Sequence, residues 1–216
     1  AAGAVADETA ALAIDPKSAF ALRIRGAAKY DAHDHAGAIA DETASLALDP
    51  QSGFALRIRG AAKYYVSAYP GAIADQTASL AIDPKNVFAL KMRGAARFSN
   101  SDYPGALADE NAALAIKPRD EFALSIRGAV KQNSGDHAGA LADENAALGI
   151  DPRDAFALRF RGYAKYDLDD NAGAVADETA ALALEPSTNA LRTRGAAKYY
   201  LDDNAGAVAD ETAVLA

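Results

Sequence analysis

The chain has 216 residues, half of them apolar, a formal net charge of −8 and no cysteine. The negative charge argues against nucleic acid as a partner, and the missing cysteines exclude a disulfide framework, a thiol nucleophile and a cysteine-based zinc site. No run of about 18 apolar residues predicts membrane insertion. We expect a soluble chain whose compartment stays open, because zero cysteine suits both the cytoplasm and the outside of the cell.

One motif recurs along the chain with a period of 34 residues. The proline that marks each unit stands at Pro16, Pro50, Pro84, Pro118, Pro152 and Pro186. An Arg-Gly pair keeps the same step from Arg25-Gly26 onwards, except that the last pair, Arg194-Gly195, comes one residue early. Such self-similarity predicts a single array of stacked helical hairpins. The predicted units are approximately 1–16 (partial), 17–50, 51–84, 85–118, 119–152, 153–186 and 187–216 (partial).

Each unit is predicted to hold two helices joined by a short polar segment. In residues 17–50, Ser18 is a suitable N-cap for a first helix that ends near Tyr30. A second helix follows from about Ala36 to Ala47, and Pro70 or Pro104 takes its first position in two other units. The chain is therefore predicted to be all-α, with one leading helix and six helix pairs. Because it starts and stops inside a unit, we expect a segment of a longer array.

The repeat resembles the tetratricopeptide repeat. The resemblance covers the whole chain and rests on the period, the Gly26 and Ala38 positions and the Asp49-Pro50 ending. The phrase Ala-Ile-Ala-Asp at residues 38–41, with an upstream Arg-Gly, is similar to the bacterial branch of that family. The resemblance implies a right-handed superhelical solenoid of antiparallel helix pairs, whose concave groove binds proteins or peptides.

Two positions differ from that family and predict ion pairs inside each hairpin. Where the family has aromatic residues that pack together, this chain has a cation at the Lys29 position and an acid at the Glu42 position. We expect Lys29 to pair with Glu42. We also expect the arginine four residues before this lysine to pair with the aspartate directly before this glutamate, in every unit. These pairs are Arg25 with Asp41, Arg59 with Asp75, Arg93 with Asp109, Arg127 with Asp143, Arg161 with Asp177, and Arg194 with Asp210. Removal of Arg127 is expected to destabilise strongly, and a change at Gln132, placed in a loop, to do little.

Cationic and aromatic side chains recur on the face of the first helices that should line the groove. These candidate binding residues are Arg23, Tyr30, Arg57, Tyr64, Lys91, Phe98, Arg159, Tyr166, Arg192 and Tyr199. They suit an extended acidic or apolar peptide, a neighbouring subunit or stacked sugar rings. A column of Phe residues beginning at Phe20 either joins this face or packs between adjacent hairpins.

A column of small polar residues recurs on the second helices. Thr43, Thr77 and Thr179 are candidate sites of O-glycosylation, and the alternative is a hydrogen bond to a packed neighbour or a solvated face.

The sequence supports two functional hypotheses. The first is a non-catalytic scaffold that binds a protein or peptide partner in its groove. The second is a structural protein whose copies assemble head-to-tail, or as a continuous array, into a fibre, possibly glycosylated. No nucleophile and base set, phosphate loop or dinucleotide fingerprint is present, so we expect no enzyme, no cofactor and no small-molecule substrate.

Overall fold

The computed structural model describes residues 1–215 of the chain. Within them, the secondary structure consists of thirteen helices and no strand. The helices are α1 (Ala2–Ile14), α2 (Ala19–Asp31), α3 (His35–Leu48), α4 (Gly53–Tyr65), α5 (Tyr69–Ile82), α6 (Val87–Ser99), α7 (Tyr103–Ile116), α8 (Glu121–Asn133), α9 (His137–Leu148), α10 (Ala155–Asp167), α11 (Asn171–Leu184), α12 (Thr188–Tyr200) and α13 (Asn204–Leu215). The predicted leading helix and six helix pairs are all present.

Short polar side chains start the helices in both positions of the pair. Ser18 accepts a hydrogen bond from the backbone N–H of Ala21 at 3.3 Å and caps α2, as the sequence predicted. Asp34 accepts one from the N–H of Gly37 at 2.9 Å and caps α3. Both helices are slightly longer than expected, since α2 includes Asp31 and α3 includes His35 and Leu48. Because α5 begins at Tyr69, Pro70 is its second residue and not its first.

The three-residue connection inside each pair needs one residue with a positive φ angle. His33 has a φ of 61°, and Ser67, Ser101, Asp169 and Asp202 take the same conformation at the equivalent place. Only the fourth hairpin uses glycine there, with Gly135 at a φ of 84°. The packing of the hairpin therefore imposes this turn geometry, because five non-glycine residues adopt it against their own steric preference.

The helices form two compact units, Ala1–Ile116 and Lys117–Ala216. In the first unit each helix packs on the next, and the first helix α4 also packs on the first helices on either side of it, α2 and α6. The second unit has the same plan, with α8, α10 and α12 in that role. Among residues 1–215, the second helices of a unit make no such mutual contacts. The boundaries of the repeats, and one uninterrupted array across both units, remain predictions from the sequence.

Small and branched apolar side chains form the contacts between helices. Ala38, Ala72, Ala106, Ala140 and Ala174 are completely buried, and Leu22 and Leu56 are almost so. Leu46 at the end of α3 packs with Ala55 and Leu56 of α4, which joins one hairpin to the next. Because alanine adds little width, the helices approach closely, and the register of each hairpin depends on larger side chains at its centre.

Candidate functional site

An arginine and an aspartate at the centre of each hairpin form a bidentate pair. In the second hairpin, Arg59 donates from Nε to Asp75 Oδ2 at 2.8 Å and from Nη2 to Oδ1 at 2.7 Å. Lys63 Nζ lies 2.8 Å from the same carboxylate, which is only 8% exposed. The structure contains the same pair at Arg25–Asp41, Arg93–Asp109, Arg127–Asp143, Arg161–Asp177 and Arg194–Asp210. Two cations thus neutralise one buried acid in every hairpin.

The same arginines bind the preceding hairpin through its threonine column. Arg59 Nη1 donates to Thr43 Oγ1 at 3.4 Å, and Arg93 donates to Thr77 at 3.3 Å. Arg194 donates to Thr179 at 3.3 Å, and Arg161 donates to Asn145 Oδ1 at 3.2 Å. The Thr and Asn side chains therefore serve as acceptors between hairpins. O-glycosylation at Thr43, Thr77 and Thr179 remains a prediction.

The expected pairing of Lys29 with Glu42 is wrong. Lys29 Nζ lies 2.8 Å from Asp41 Oδ2, and Glu42 has no hydrogen-bond partner among the described residues. Asp41 faces the ends of both cationic side chains, whereas Glu42, one residue further along α3, points between the helices at Gly26. A Cβ atom added to Gly26 would lie 2.7 Å from Glu42 Oε1. The carboxyl group fills the space that the glycine leaves, out of reach of the lysine.

The placement of Gln132 in a loop is also wrong. Gln132 lies in α8 and is buried, and its Nε2 donates to Asp167 Oδ2 at 2.5 Å. His137 Nδ1 lies 3.0 Å from Gln132 Oε1. A change at Gln132 would therefore break contacts between α8 and its neighbours, and Gln132 is no neutral control for Arg127.

Burial without a cation changes the ionisation of the glutamate column. Glu42, Glu144 and Glu178 are completely buried, and their carboxyl oxygens accept no hydrogen bond from any described residue. Burial raises the pKa of Glu42 and Glu178 to about 8, and that of Glu144 to about 10. The opposite holds at Asp41, where burial acts against ionisation but hydrogen bonds from Arg25 and Lys29 bring the pKa below its ordinary value. Adjacent acids of one helix thus differ in charge because only one of them meets cations.

Arginine and phenylalanine side chains alternate along the first helices of the first unit. The Arg23 guanidinium lies 5.5 Å from the ring centre of Phe20 and 5.4 Å from that of Phe54. Arg57 lies 5.1 Å from Phe54 and 5.8 Å from the next ring along the face, Phe88. We call these five residues the cation–aromatic ladder. The Phe column combines the two predicted roles. Phe54 and Phe88 are half-buried between hairpins, whereas Phe20 is 61% exposed and is available on the candidate binding face.

Aromatic rings also meet at the ends of the first helices in the first unit. Tyr30 and Tyr65 lie 6.0 Å apart between ring centres, and His35 stacks on Tyr65 at 4.7 Å with 10° between the planes. Tyr64 contacts Tyr65 at 5.2 Å and Tyr69 at 5.9 Å. We call these five residues the aromatic cluster. Burial, with the nearby Tyr65, raises the pKa of Tyr30 well above its ordinary value, so its hydroxyl stays neutral.

The other candidate binding residues are not brought together to the same extent. In the second unit, Arg159 lies 5.3 Å from the ring centres of both Phe156 and Phe160, and Tyr166 and Tyr200 are 6.1 Å apart. Arg192 and Tyr199 are exposed. In the first unit, Lys91 is half-buried, and Phe98 contacts Tyr103 at 5.9 Å.

Sequence reasoning missed three of the five residues of the aromatic cluster. His35, Tyr65 and Tyr69 were not selected, although two of them follow a selected tyrosine by a fixed interval of five residues. Tyr30 and His35, Tyr64 and Tyr69, and Phe98 and Tyr103 repeat that spacing with the period of the chain. This interval, which spans the connection of the hairpin, is the signal that could have found His35 and Tyr69.

Two kinds of site are not found in the described part of the chain. No group of three or more His, Asp or Glu side chains within residues 1–215 is arranged to hold a metal ion. None of the helices in that range combines the length and the apolar character that a bilayer crossing requires.

The comparisons with known proteins concern the fold. No protein-family model and no curated protein matches the sequence. Among solved structures, a tetratricopeptide repeat protein from Parabacteroides merdae is 20% identical, with 97% of this chain and 84% of that chain covered at a TM-score of 0.73. YrrB, a TPR protein with an unusual peptide-binding site, is 20% identical, with 85% of this chain and 95% of that chain covered at a TM-score of 0.64.

A third similar structure is much longer than this chain. In the APC/C hetero-tetramer Cut9-Hcn1, the match covers 96% of this chain but only 42% of the other, at 16% identity and a TM-score of 0.84. The paired helices, the recurring glycine and alanine positions and these structural likenesses agree. The chain is a helical repeat protein with the tetratricopeptide repeat fold.

Proposed function

We propose that the chain is a non-catalytic scaffold that binds a protein or peptide segment on the first helices of its first unit. The observation that carries the proposal is the cation–aromatic ladder. Arg23 and Arg57 are half-buried between rings, and no carboxylate within residues 1–215 forms a salt bridge with either. Each guanidinium therefore keeps hydrogen-bond donors for another molecule.

The chemistry of this face favours a segment with acidic and apolar side chains. A carboxylate that reaches Arg23 or Arg57 meets a cation whose position is already held by aromatic rings, which lowers the entropy lost on binding. Phe20 offers an exposed ring beside it. YrrB, a protein of this fold, is described as having an unusual peptide-binding site, which supports a peptide as the partner.

The test is selection of binding peptides from a random display library, followed by titration of the enriched sequences. We expect enrichment of Asp or Glu next to apolar residues. The double variant Arg23→Ala/Arg57→Ala should bind these peptides at least about tenfold more weakly, as expected for two lost charged contacts. Lys17→Ala/Lys85→Ala is the control with the same change of charge at exposed positions outside the ladder. Equal affinity of the two double variants would reject the ladder as the binding surface.

The second candidate, a structural protein that associates with copies of itself, is supported by the face of α12 and α13. Tyr199, Val208 and Leu215 are more than half exposed and border a cavity of about 490 Å³. Sedimentation velocity over a range of concentrations tests this proposal. Self-association that Val208→Lys abolishes would favour it, and a monomer at every concentration would reject it.

A further inference from the structure

The buried glutamate column is the feature of the fold that neither hypothesis uses. Three of its members are Glu42, Glu144 and Glu178, one at the centre of its hairpin in each case, all with 0% exposure. In each hairpin, the neighbouring aspartate already receives both the arginine and the lysine. The fold therefore gives the aspartate two cations and gives the glutamate none within bonding distance.

One hairpin shows which hydrogen bond a neutral side chain makes in this position. Gln76 replaces the glutamate in α5, and its Nε2 donates to the backbone carbonyl of Arg57 on α4 at 2.9 Å. A Cβ atom added to Gly60 would lie 2.8 Å from the same nitrogen, so the amide fills the same space as the carboxyl groups. A protonated carboxyl group is nearly isosteric with an amide and carries one donor, whereas a carboxylate has none. The equivalent carbonyls in the other hairpins belong to Arg23, Ser125 and Arg159.

We propose that Glu42, Glu144 and Glu178 are protonated in the folded hairpins and lock them by donating to the opposite helix, so that deprotonation loosens the hairpins and makes the scaffold sensitive to pH. An ionised carboxylate would face the helix carbonyl with no donor and no contacting cation, which is strongly unfavourable in a buried site.

The charged groups around each glutamate do not replace the missing partner. Glu42 is faced by Arg23 on α2, Asp41 on α3 and Arg59 on α4. Glu178 has the equivalent neighbours Arg159, Asp177 and Arg194. In both places burial outweighs the cations, and the adjacent aspartate opposes ionisation further.

Glu144 has a more acidic environment than the other two. It is faced by Asp143 on α9, Glu121 on α8, Asp154 before α10 and only one cation, Arg161 on α10. The pKa of Glu121 is itself raised to about 7, first by burial and then by Asp154. Both measurements below are therefore made in the Glu121→Gln background as well as in the wild type, so that Glu121 contributes to neither in that background.

The experiment is urea unfolding of the whole chain between pH 5 and pH 9, followed by circular dichroism. For each buried glutamate, the unfolding equilibrium constant of the wild type should rise up to about tenfold per pH unit below the raised pKa, because the unfolded chain releases the proton first. The triple variant Glu42→Gln/Glu144→Gln/Glu178→Gln should lose most of this dependence and unfold at higher urea above pH 7. Glu211 is the exposed equivalent of these glutamates in the last hairpin. Glu211→Gln is therefore the matched control, and its unfolding should depend on pH as that of the wild type does.

A second measurement does not depend on whether the triple variant folds. Infrared spectra of the folded wild type at pH 6 should contain the carbonyl stretch of protonated carboxyl groups, and this band should disappear as the pH rises towards unfolding. The proposal fails if the band is absent at pH 6, or if the triple variant folds with the pH dependence of the wild type. Peptide binding by the first unit is measured separately, so a failure of the proposed peptide binding would leave the result of this test unchanged.

Discussion

At the scale of single residues, the arginine of the recurring Arg-Gly pair contributes most of the specific contacts. Arg59 bonds Asp75 of its own hairpin with two nitrogens and Thr43 of the preceding hairpin with the third. Because the acid is nearly excluded from water, its desolvation is compensated only while its cations stay in place. The arginine therefore fixes both the register of a hairpin and its contact with the previous one.

Arg59→Ala is expected to lower the free energy of unfolding by about 3 kcal/mol, because it leaves Asp75 buried with Lys63 as its remaining cation. Arg57→Ala, two residues away on the same helix, removes a cation that contacts rings only and should cost less than about 1 kcal/mol. Urea unfolding at pH 5 measures both. Equal losses for the two variants would contradict the assignment of the stability to the Arg–Asp pair.

At the scale of helices, one second helix lacks the cap that the others have. α3, α9 and α11 each begin after an aspartate that accepts a hydrogen bond from a glycine N–H, as Asp34 does from Gly37. α5 begins after Ala68, whose side chain can accept no such bond. The first turn of α5 therefore has free N–H groups that the equivalent helices satisfy.

Ala68→Asp is expected to stabilise the first unit by about 1 kcal/mol, through a new hydrogen bond to the N–H of Gly71 and a favourable interaction with the helix dipole. Ala68→Ser supplies the hydrogen bond without the charge and should give a smaller gain. Thermal unfolding at pH 6 compares these variants with the wild type. A gain for Ala68→Asp that vanishes in high salt, with none for Ala68→Ser, would show charge alone and contradict capping.

At the scale of the whole chain, the two acidic columns impose opposite dependences on pH. The pKa values of Asp41 and Asp210 are lowered by hydrogen bonds to Arg and Lys that outweigh burial, so their stabilising effect exists above the ordinary pKa of 3.8 and is lost as the pH falls through the lowered values. The pKa values of Glu42 and Glu178 are raised from 4.5 to about 8, so their contribution is complete below pH 4.5 and is lost as the pH rises towards 8.

The free energy of unfolding is therefore expected to pass through a maximum between about pH 4 and pH 5. Above the maximum, each buried glutamate should contribute a slope of about 1.4 kcal/mol per pH unit until the pH reaches its raised pKa. Urea unfolding at steps from pH 2.5 to pH 9 gives the profile. A plateau that extends from pH 5 to pH 8 would contradict ionisable glutamates in the buried column.

The helix pairs, and the Arg and Asp positions that meet inside them, could be predicted from the sequence alone. The period, the prolines and the capping residues are local signals, because a helix begins and ends according to side chains within a few residues of its ends. The Asp41 and Glu42 positions, in contrast, looked equivalent as partners for cations. Only the packing of α3 on α2 decided that Asp41 receives both and that Glu42 points at Gly26.

The candidate binding surface could likewise be predicted from the sequence only in part. Periodicity placed Arg23, Arg57 and the Phe residues on one face, since residues one period apart occupy equivalent positions in a repeat. It gave no sign that each guanidinium lies between two rings, or that His35 stacks on Tyr65 of the next hairpin. Such contacts depend on the distance and angle between neighbouring hairpins. These are set by side-chain packing across the whole interface, and only the tertiary structure contains them.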